Sequence, residues 1–329
     1  MLPNVFVAGA QKSGTTTLCA LLDRHPNVVL SSPKEPVFFS RGANLQHRER
    51  YEACFRAKDG AAPQAVIDGS NAYMADAEAL ARIKRMLGDE LRFVFCLREP
   101  AARAVSGYWH QAKKGRDKRS LAEALAFESV TAEEAEQEEE HRLKDAVARN
   151  LVDLSDSRPR FDDPLWHFRY LRGSLYSADL ERFVAAFGEG RVKAVLTDDL
   201  MIDAKGTVAQ IARFLALDPA CFPGELGAHR NPTLLERASG FQRIARKLPG
   251  RHLLHSLPGY AVMRRRLFFR DPPAADSQIV ERLRRLVQRE IEQLQALLNR
   301  DLIDLWGYGR PEALHAGQVK AMAARDQVG

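Results

Sequence analysis

Apolar and polar positions alternate in blocks along this chain. Residues 4–9, "NVFVAG", form a short apolar run that ends at a glycine. Residues 15–24 then carry Leu18, Leu21 and Leu22 at helical spacing, and Pro26 closes the segment. The pattern predicts strand, loop, helix. "NVVLSS" (27–32) and "AVIDGS" (65–70) read as further short strands, and "LRFVFCL" (91–97) as a strand buried on both faces. Residues 75–87 place Leu80, Ile83 and Leu87 on one helical face. A helix is expected after Pro100, which suits the first helical turn. Residues 119–149 read as one long polar helix with a solvated face, 175–187 as a helix and 191–197 as a strand. Residues 204–216 and 276–298 read as two more helices, the second a long one.

Continuous apolar strands alternating with helices predict an α/β fold with a mainly parallel central sheet flanked by helices. No internal repeat and no Pro-, Gly- or Ser-rich linker divides the 329 residues. The expectation is one domain over 1–329, with an acidic helical insertion around 119–149, a basic irregular zone over 226–275 and a helical part from about 276.

Composition narrows this little. The net charge is +6, which suits an anionic ligand without requiring one. The four cysteines, Cys19, Cys54, Cys96 and Cys221, contain no C-x-x-C pair, so neither a zinc site nor a disulfide framework is expected. The N-terminal segment reads as a strand, not a signal peptide, and no apolar run is long enough to span a bilayer. A cytoplasmic location is the expectation.

The chemistry lies in "GAQKSGTTTL" (9–18). Gly9 and Gly14 keep the spacing of the nucleotide-triphosphatase loop, but Thr15 stands where that loop has its lysine, and the lysine is at position 12. A glycine loop between strand and helix aims backbone N–H groups at one point, and the helix dipole adds positive charge there. Thr15, Thr16 and Thr17 add hydroxyls, and Lys12 an ammonium. No run ends convincingly in an aspartate suited to magnesium; Asp68 and Asp198 come nearest. The loop suits an anion, with phosphate the leading candidate.

This loop resembles the 5′-phosphosulfate loop of sulfotransferases that use 3′-phosphoadenosine-5′-phosphosulfate (PAPS), whose displaced lysine is a signature of the family. In "FVFCLREPAARAVSGYWH", Arg98 ends a strand and Ser106 follows eight residues later, similar to the family's 3′-phosphate pair. "RHPNVVLSSPKEPVFFS" (24–40) resembles the form found in bacterial enzymes and heparan sulfate sulfotransferases, and "GSLYSADLERFVAAFGEGRVKAVLTDDL" and "LNRDLIDLWG" also match.

The resemblance implies a P-loop-containing fold. It implies transfer of a sulfuryl group from PAPS, with no metal, to a hydroxyl or amine of a small-molecule, glycan or lipid acceptor. Lys12, Ser13, Gly14, Thr15, Thr16, Thr17, Arg98 and Ser106 would bind the donor. Lys12 would also meet the charge of the leaving group, and Glu35 would be the base. The alternative for Glu35 is an ion pair with Lys34, and His110 is the reserve base. His25 is expected to set a turn. Gly69 stands where the family often has a lysine near the acceptor, which argues against a sulfated polysaccharide. Arg230 or Arg237 is a further candidate for the 3′-phosphate. Phe38, Phe39, Tyr108 and Trp109 suggest either a partly apolar pocket or core. Two other readings remain: a P-loop kinase or ATPase, and a non-catalytic nucleotide- or polyanion-binding scaffold. No nucleic-acid partner and no membrane span are expected, and the oligomeric state is open.

Overall fold

The computed structural model describes residues 1–57, 63–223, 275–308 and the backbone of two short strands, Leu235–Glu236 and Phe269–Arg270. In chain order the sheet strands are β1 (Val5–Gly9), β2 (Val28–Leu30), β3 (Ala65–Asp68), β4 (Arg92–Leu97) and β5 (Val192–Leu196). The helices are α1 (Thr15–Leu22), α2 (Arg48–Glu52), α3 (Ala77–Leu87), α4 (Pro100–Ala112), α5 (Leu121–Leu125), α6 (Ala132–Ala148) and α7 (Ser177–Phe187). They continue with α8 (Thr197–Ile202), α9 (Ala204–Phe214), α10 (Ser277–Leu286), α11 (Gln288–Leu298) and α12 (Leu302–Trp306).

The five strands pair in parallel in the order β2-β3-β1-β4-β5. Successive side chains of a strand point to opposite faces, and each face here has its own apolar cluster. Phe6, Ala8, Phe93 and Phe95 meet Leu80 and Ile83 of α3, Phe183 of α7 and Ile291 of α11. On the other face Val5, Val7, Val94 and Cys96 meet Leu18 and Leu22 of α1 and Val208 and Ile211 of α9. Burial on both faces explains why these strands carry no polar alternation. The chain runs from β1 out to one side of the sheet and returns to the other side through β4. Its reversal lies between the C-terminal ends of β1 and β4, where parallel α/β sheets hold ligands.

A third cluster joins α4, α5, α6 and α10 beyond the sheet. Here the sequence reading needs correction. The helix expected over 119–149 is two helices, each opened by a capping box, Ser120 with Glu123 and Thr131 with Glu134. Phe127, between them, is buried at 2% exposure, so the chain leaves the helix to place that ring in the core. The acidic face is also not wholly solvated. Glu139 is 2% exposed and accepts the backbone N–H groups of Leu171 (2.7 Å) and Arg172 (3.0 Å). Burial pushes its carboxyl up to about 7. Glu139→Ala should lower stability by roughly 2–4 kcal/mol in urea unfolding, because two buried N–H groups lose their acceptor. A change below about 0.5 kcal/mol would contradict this assignment. The helix expected over 276–298 likewise divides at Val287 into α10 and α11.

Candidate active site

The loop from Ala10 to Gly14 is fixed from beneath by β4 and by the first residue of α8. Ala10 N donates to Cys96 O (2.8 Å). The Ser13 carbonyl accepts the Cys96 thiol (2.6 Å) and the Thr197 hydroxyl (2.7 Å), which also reaches Leu97 O (3.0 Å). Gly14 has φ 91°, a left-handed conformation that glycine adopts without a Cβ penalty, and it leads directly into α1. Lys12 also has a positive φ, 69°. Ser13 and Thr15 are buried, Thr17 is half-buried and Thr16 is exposed. The first turn of α1 contains no acidic residue, so the positive end of its dipole is not offset within the helix.

Lys12 Nζ stands 3.4 Å from His110 Nδ1, in the last turn of α4. Burial, together with Lys113, Arg98, Lys114 and Arg103, lowers the Lys12 ammonium to about 8. Neither Lys12 nor Arg98 has a carboxylate partner among the described residues. The acid next to Arg98 is engaged elsewhere. Glu99 caps α4 through Ala101 N (3.3 Å) and Ala102 N (2.5 Å), pairs with Arg284 (3.4 Å) and accepts the Tyr308 hydroxyl. Arg98 at the end of β4 and Ser106 in the second turn of α4 are both half-buried. The sequence-selected cations therefore meet at the sheet's reversal point.

Glu35 accepts from Asn71 Nδ2 (2.8 Å) and pairs with Lys34 (3.1 Å), with 35% of its side chain exposed. The alternative reading, an ion pair with Lys34, is thus realised, but Asn71 orients the same carboxylate. Glu35 also acts on the charge of Lys114, which places it toward the same cleft. Lys34 Nζ additionally donates to Gly69 O (3.1 Å). A Cβ at Gly69 would stand 2.8 Å from Lys34 O, so a lysine at position 69 would not fit this backbone.

His110 does not suit the reserve role. Its Nε2 lies 2.8 Å from Lys114 Nζ, and burial with Lys12, Lys114 and Lys113 lowers the imidazole to about 2. Such a ring has little basicity for proton abstraction. His25 does set a turn, since its Nδ1 accepts Asn27 N (3.1 Å) and its Nε2 faces Asp218 O (3.1 Å). The aromatics resolve as core. Phe38 stacks on Tyr51 at 4.5 Å, Phe39 is fully buried, and Tyr108 donates to Arg119 O (2.8 Å). Trp109 packs edge-on against Tyr108. Asp68, one of the aspartates weighed for magnesium, accepts from Tyr51 (2.7 Å), Tyr73 (3.3 Å) and Ser70 N (2.9 Å), and burial pushes it up to about 6. Asp198 accepts the Trp306 indole (3.1 Å). Arg230 and Arg237 lie outside the described residues.

Several site residues were not singled out from the sequence. Arg103, 3% exposed, donates to Gln11 O (2.9 Å) and Tyr170 O (2.9 Å) and braces the loop from behind. A Cβ at Gly173 would approach its guanidinium to 2.6 Å, so that glycine makes room for the brace. Gln11 reaches His167 Nδ1 (3.1 Å). Beside them a cavity of about 60 Å³ is lined by Gln11, Asn71, Trp166 and Arg169, among others. Within its walls Asn71 Oδ1, Trp166 Nε1 and Arg169 Nε are buried without a hydrogen-bond partner among the described residues.

A strand–glycine loop–helix unit at the reversal point of a parallel sheet defines a P-loop-containing nucleotide-binding fold, and comparison with known proteins narrows the class. Residues 2–243 match the family described as the sulfotransferase domain, and the chain belongs to that family. Heparan sulfate glucosamine 3-O-sulfotransferase 5 of mouse and of human is 25% identical over 219 residues, covering 66% of this chain and 54% of those enzymes. The chain therefore spans only about half the length of these relatives. Bifunctional heparan sulfate N-deacetylase/N-sulfotransferase 3 of mouse is 32% identical over 117 residues, 33% of this chain and 13% of that protein. The sulfotransferase of Alicyclobacillus acidocaldarius shares the fold at a TM-score of 0.60 and 23% identity, over 92% of this chain and 98% of that one. Among the described residues no helix is long and apolar enough to cross a membrane.

Proposed function

We propose that this chain transfers a sulfuryl group from PAPS to a hydroxyl or amine of its acceptor. The observation that carries this reading is the gathering of Lys12, Arg98, Lys113 and Lys114 at the loop, where burial first and these neighbouring cations second lower Lys12 to about 8. Such crowding costs free energy in the free protein and is relieved by a polyanion. The 5′-phosphosulfate lies against Lys12 and the α1 N-terminus, with Ser13, Gly14, Thr15, Thr16 and Thr17 forming the cradle. The 3′-phosphate is held by Arg98 and Ser106. In-line transfer needs positioning and charge stabilisation more than covalent help. Lys12 meets the negative charge that grows on the leaving 5′-phosphate, and Glu35, aimed by Asn71, takes the acceptor proton. The acceptor is a glycan or small molecule without dense sulfation. The heparan sulfate enzymes among the relatives support a sugar, and Gly69, which has no room for a lysine, weighs against a highly charged one.

Arg98→Ala tests the donor assignment. Removing a charge-assisted contact should weaken 3′,5′-ADP binding by about 10- to 100-fold and leave 5′-AMP binding nearly unchanged. Equal affinity of the variant and the parent for 3′,5′-ADP in calorimetric titration would remove Arg98 from the 3′-phosphate site.

A further inference from the structure

Three side chains stand in a row across the proposed donor site: Lys12 through Nζ, His110 through its two ring nitrogens, and Lys114 through Nζ. The gaps are 3.4 Å to His110 Nδ1 and 2.8 Å to His110 Nε2. An ammonium only donates, and a neutral imidazole has one N–H and one acceptor nitrogen. Two ammonium groups facing the two nitrogens of one ring therefore cannot both be satisfied. An imidazolium, with two N–H groups, would satisfy neither. The row closes only if one lysine is an amine. Resting on the donor-site reading above, we propose that His110 is a positioning residue that ties Lys12 to Lys114 before the donor arrives, so that in mildly alkaline solution this row gives up one proton more readily than two free lysines and donor binding takes that proton back up.

The geometry also says which lysine gives up its proton. The shorter contact is the charge-assisted one, which puts the ammonium at Lys114 donating to Nε2. Nδ1–H then points at Lys12. Lys114 lies exposed at the rim, where water reaches its charge. Partial burial of its ammonium, and after it crowding by Arg116 and Lys113, lowers it to about 8, while Asp156 and Glu35 act to keep it protonated. Lys12 is half-buried, and the charged groups acting on it, Arg98 just after β4, Arg103 from α4, and Lys113 and Lys114 after α4, are all cations. Burial first, and then Lys12, Lys114, Lys113 and His167, keep the His110 ring neutral. His110 is thus the joint that fixes where the Lys12 side chain rests and in which charge state.

The consequence is a pH signature. A bound dianionic 5′-phosphate favours the Lys12 ammonium and raises its pKa above the free value of about 8. Affinity is then fully present below pH 8 and falls about tenfold per unit above it, until the pKa of the complex is reached. The phosphates of the ligand are already fully ionised there, with a second pKa near 6, so they do not obscure the slope. Titration of the full chain with 3′,5′-ADP at pH 8.5, in buffers of high and low ionisation enthalpy, should show uptake of about three quarters of a proton for a group with a free pKa of about 8.

Variants separate this role from simple support. In His110→Ala, Lys12 loses the ring that ties it and gains water, so uptake at about pH 8.5 should fall below that of the parent and the affinity slope should start at a higher pH, although Arg98, Arg103, Lys113 and Lys114 still act on the ammonium. His110→Gln keeps one donor and one acceptor between the lysines and should retain both signatures. A purely structural histidine would instead weaken binding evenly at every pH. If the parent binds 3′,5′-ADP without proton uptake and with a flat profile from pH 7 to 9.5, the inference fails and the donor site stands. If 3′,5′-ADP does not bind at any pH, the donor reading fails and takes this inference with it.

Discussion

Lys12→Met should lower the turnover of sulfuryl transfer by about 10²- to 10³-fold at saturating donor. The size follows from where the charge develops. In the proposed transfer, negative charge grows on the 5′-phosphate oxygen as the S–O bond breaks, and a preorganised cation at that point is typically worth this much. Methionine keeps the length and apolar stem of lysine and removes only the ammonium. Arg103 braces the loop through Gln11 O (2.9 Å), a contact the substitution leaves in place. The loss in 3′,5′-ADP affinity should be smaller than the loss in rate, because the ammonium contributes more in the transition state than in the ground state. Single-turnover transfer of labelled sulfate to a screened acceptor gives the rate, and calorimetry gives the affinity. A Lys12→Met enzyme that turns over like the parent would mean that the leaving group is stabilised elsewhere.

Glu35→Gln should lose about 10²- to 10⁴-fold in turnover with 3′,5′-ADP affinity unchanged within about twofold, as expected for removal of a general base. Glutamine is nearly isosteric, and its side-chain oxygen can still accept from Asn71 Nδ2, which stands 2.8 Å from the native carboxylate. On the proposed reading, what disappears is the ability to take the acceptor proton. The ion pair with Lys34 is also lost, but with 35% of the Glu35 side chain exposed it contributes little to stability. An unchanged melting temperature beside a collapsed rate would support the base assignment. Parent-like turnover would leave the Lys34 pair as the whole role of Glu35.

The sequence showed most clearly the features that local chemistry controls. The β1–loop–α1 unit was legible because an apolar run, a glycine with positive φ and a helical leucine stripe are contiguous. β4 and Arg98 were legible because a strand buried on both faces has no polar interruptions. The break between α5 and α6 was also written locally, in the Ser120–Glu123 and Thr131–Glu134 boxes, but the charged run concealed it. Phe127 left the helix for contacts made far along the chain. The remaining site residues meet only through tertiary structure. Lys12 and His110 are 98 residues apart, Glu35 and Asn71 36, and Gln11 and His167 156. No local spacing encodes such pairs. Arg103 in a helix and Lys114 just beyond its end read as ordinary surface positions until the sheet brings the loop against them.

The most direct test of the account is calorimetric titration with 3′,5′-ADP beside ATP with magnesium. The account predicts tight binding of 3′,5′-ADP that is the same with and without magnesium, and much weaker binding of ATP. Tight, magnesium-dependent ATP binding with none of 3′,5′-ADP would contradict it, and would make the Lys12 loop a triphosphate site.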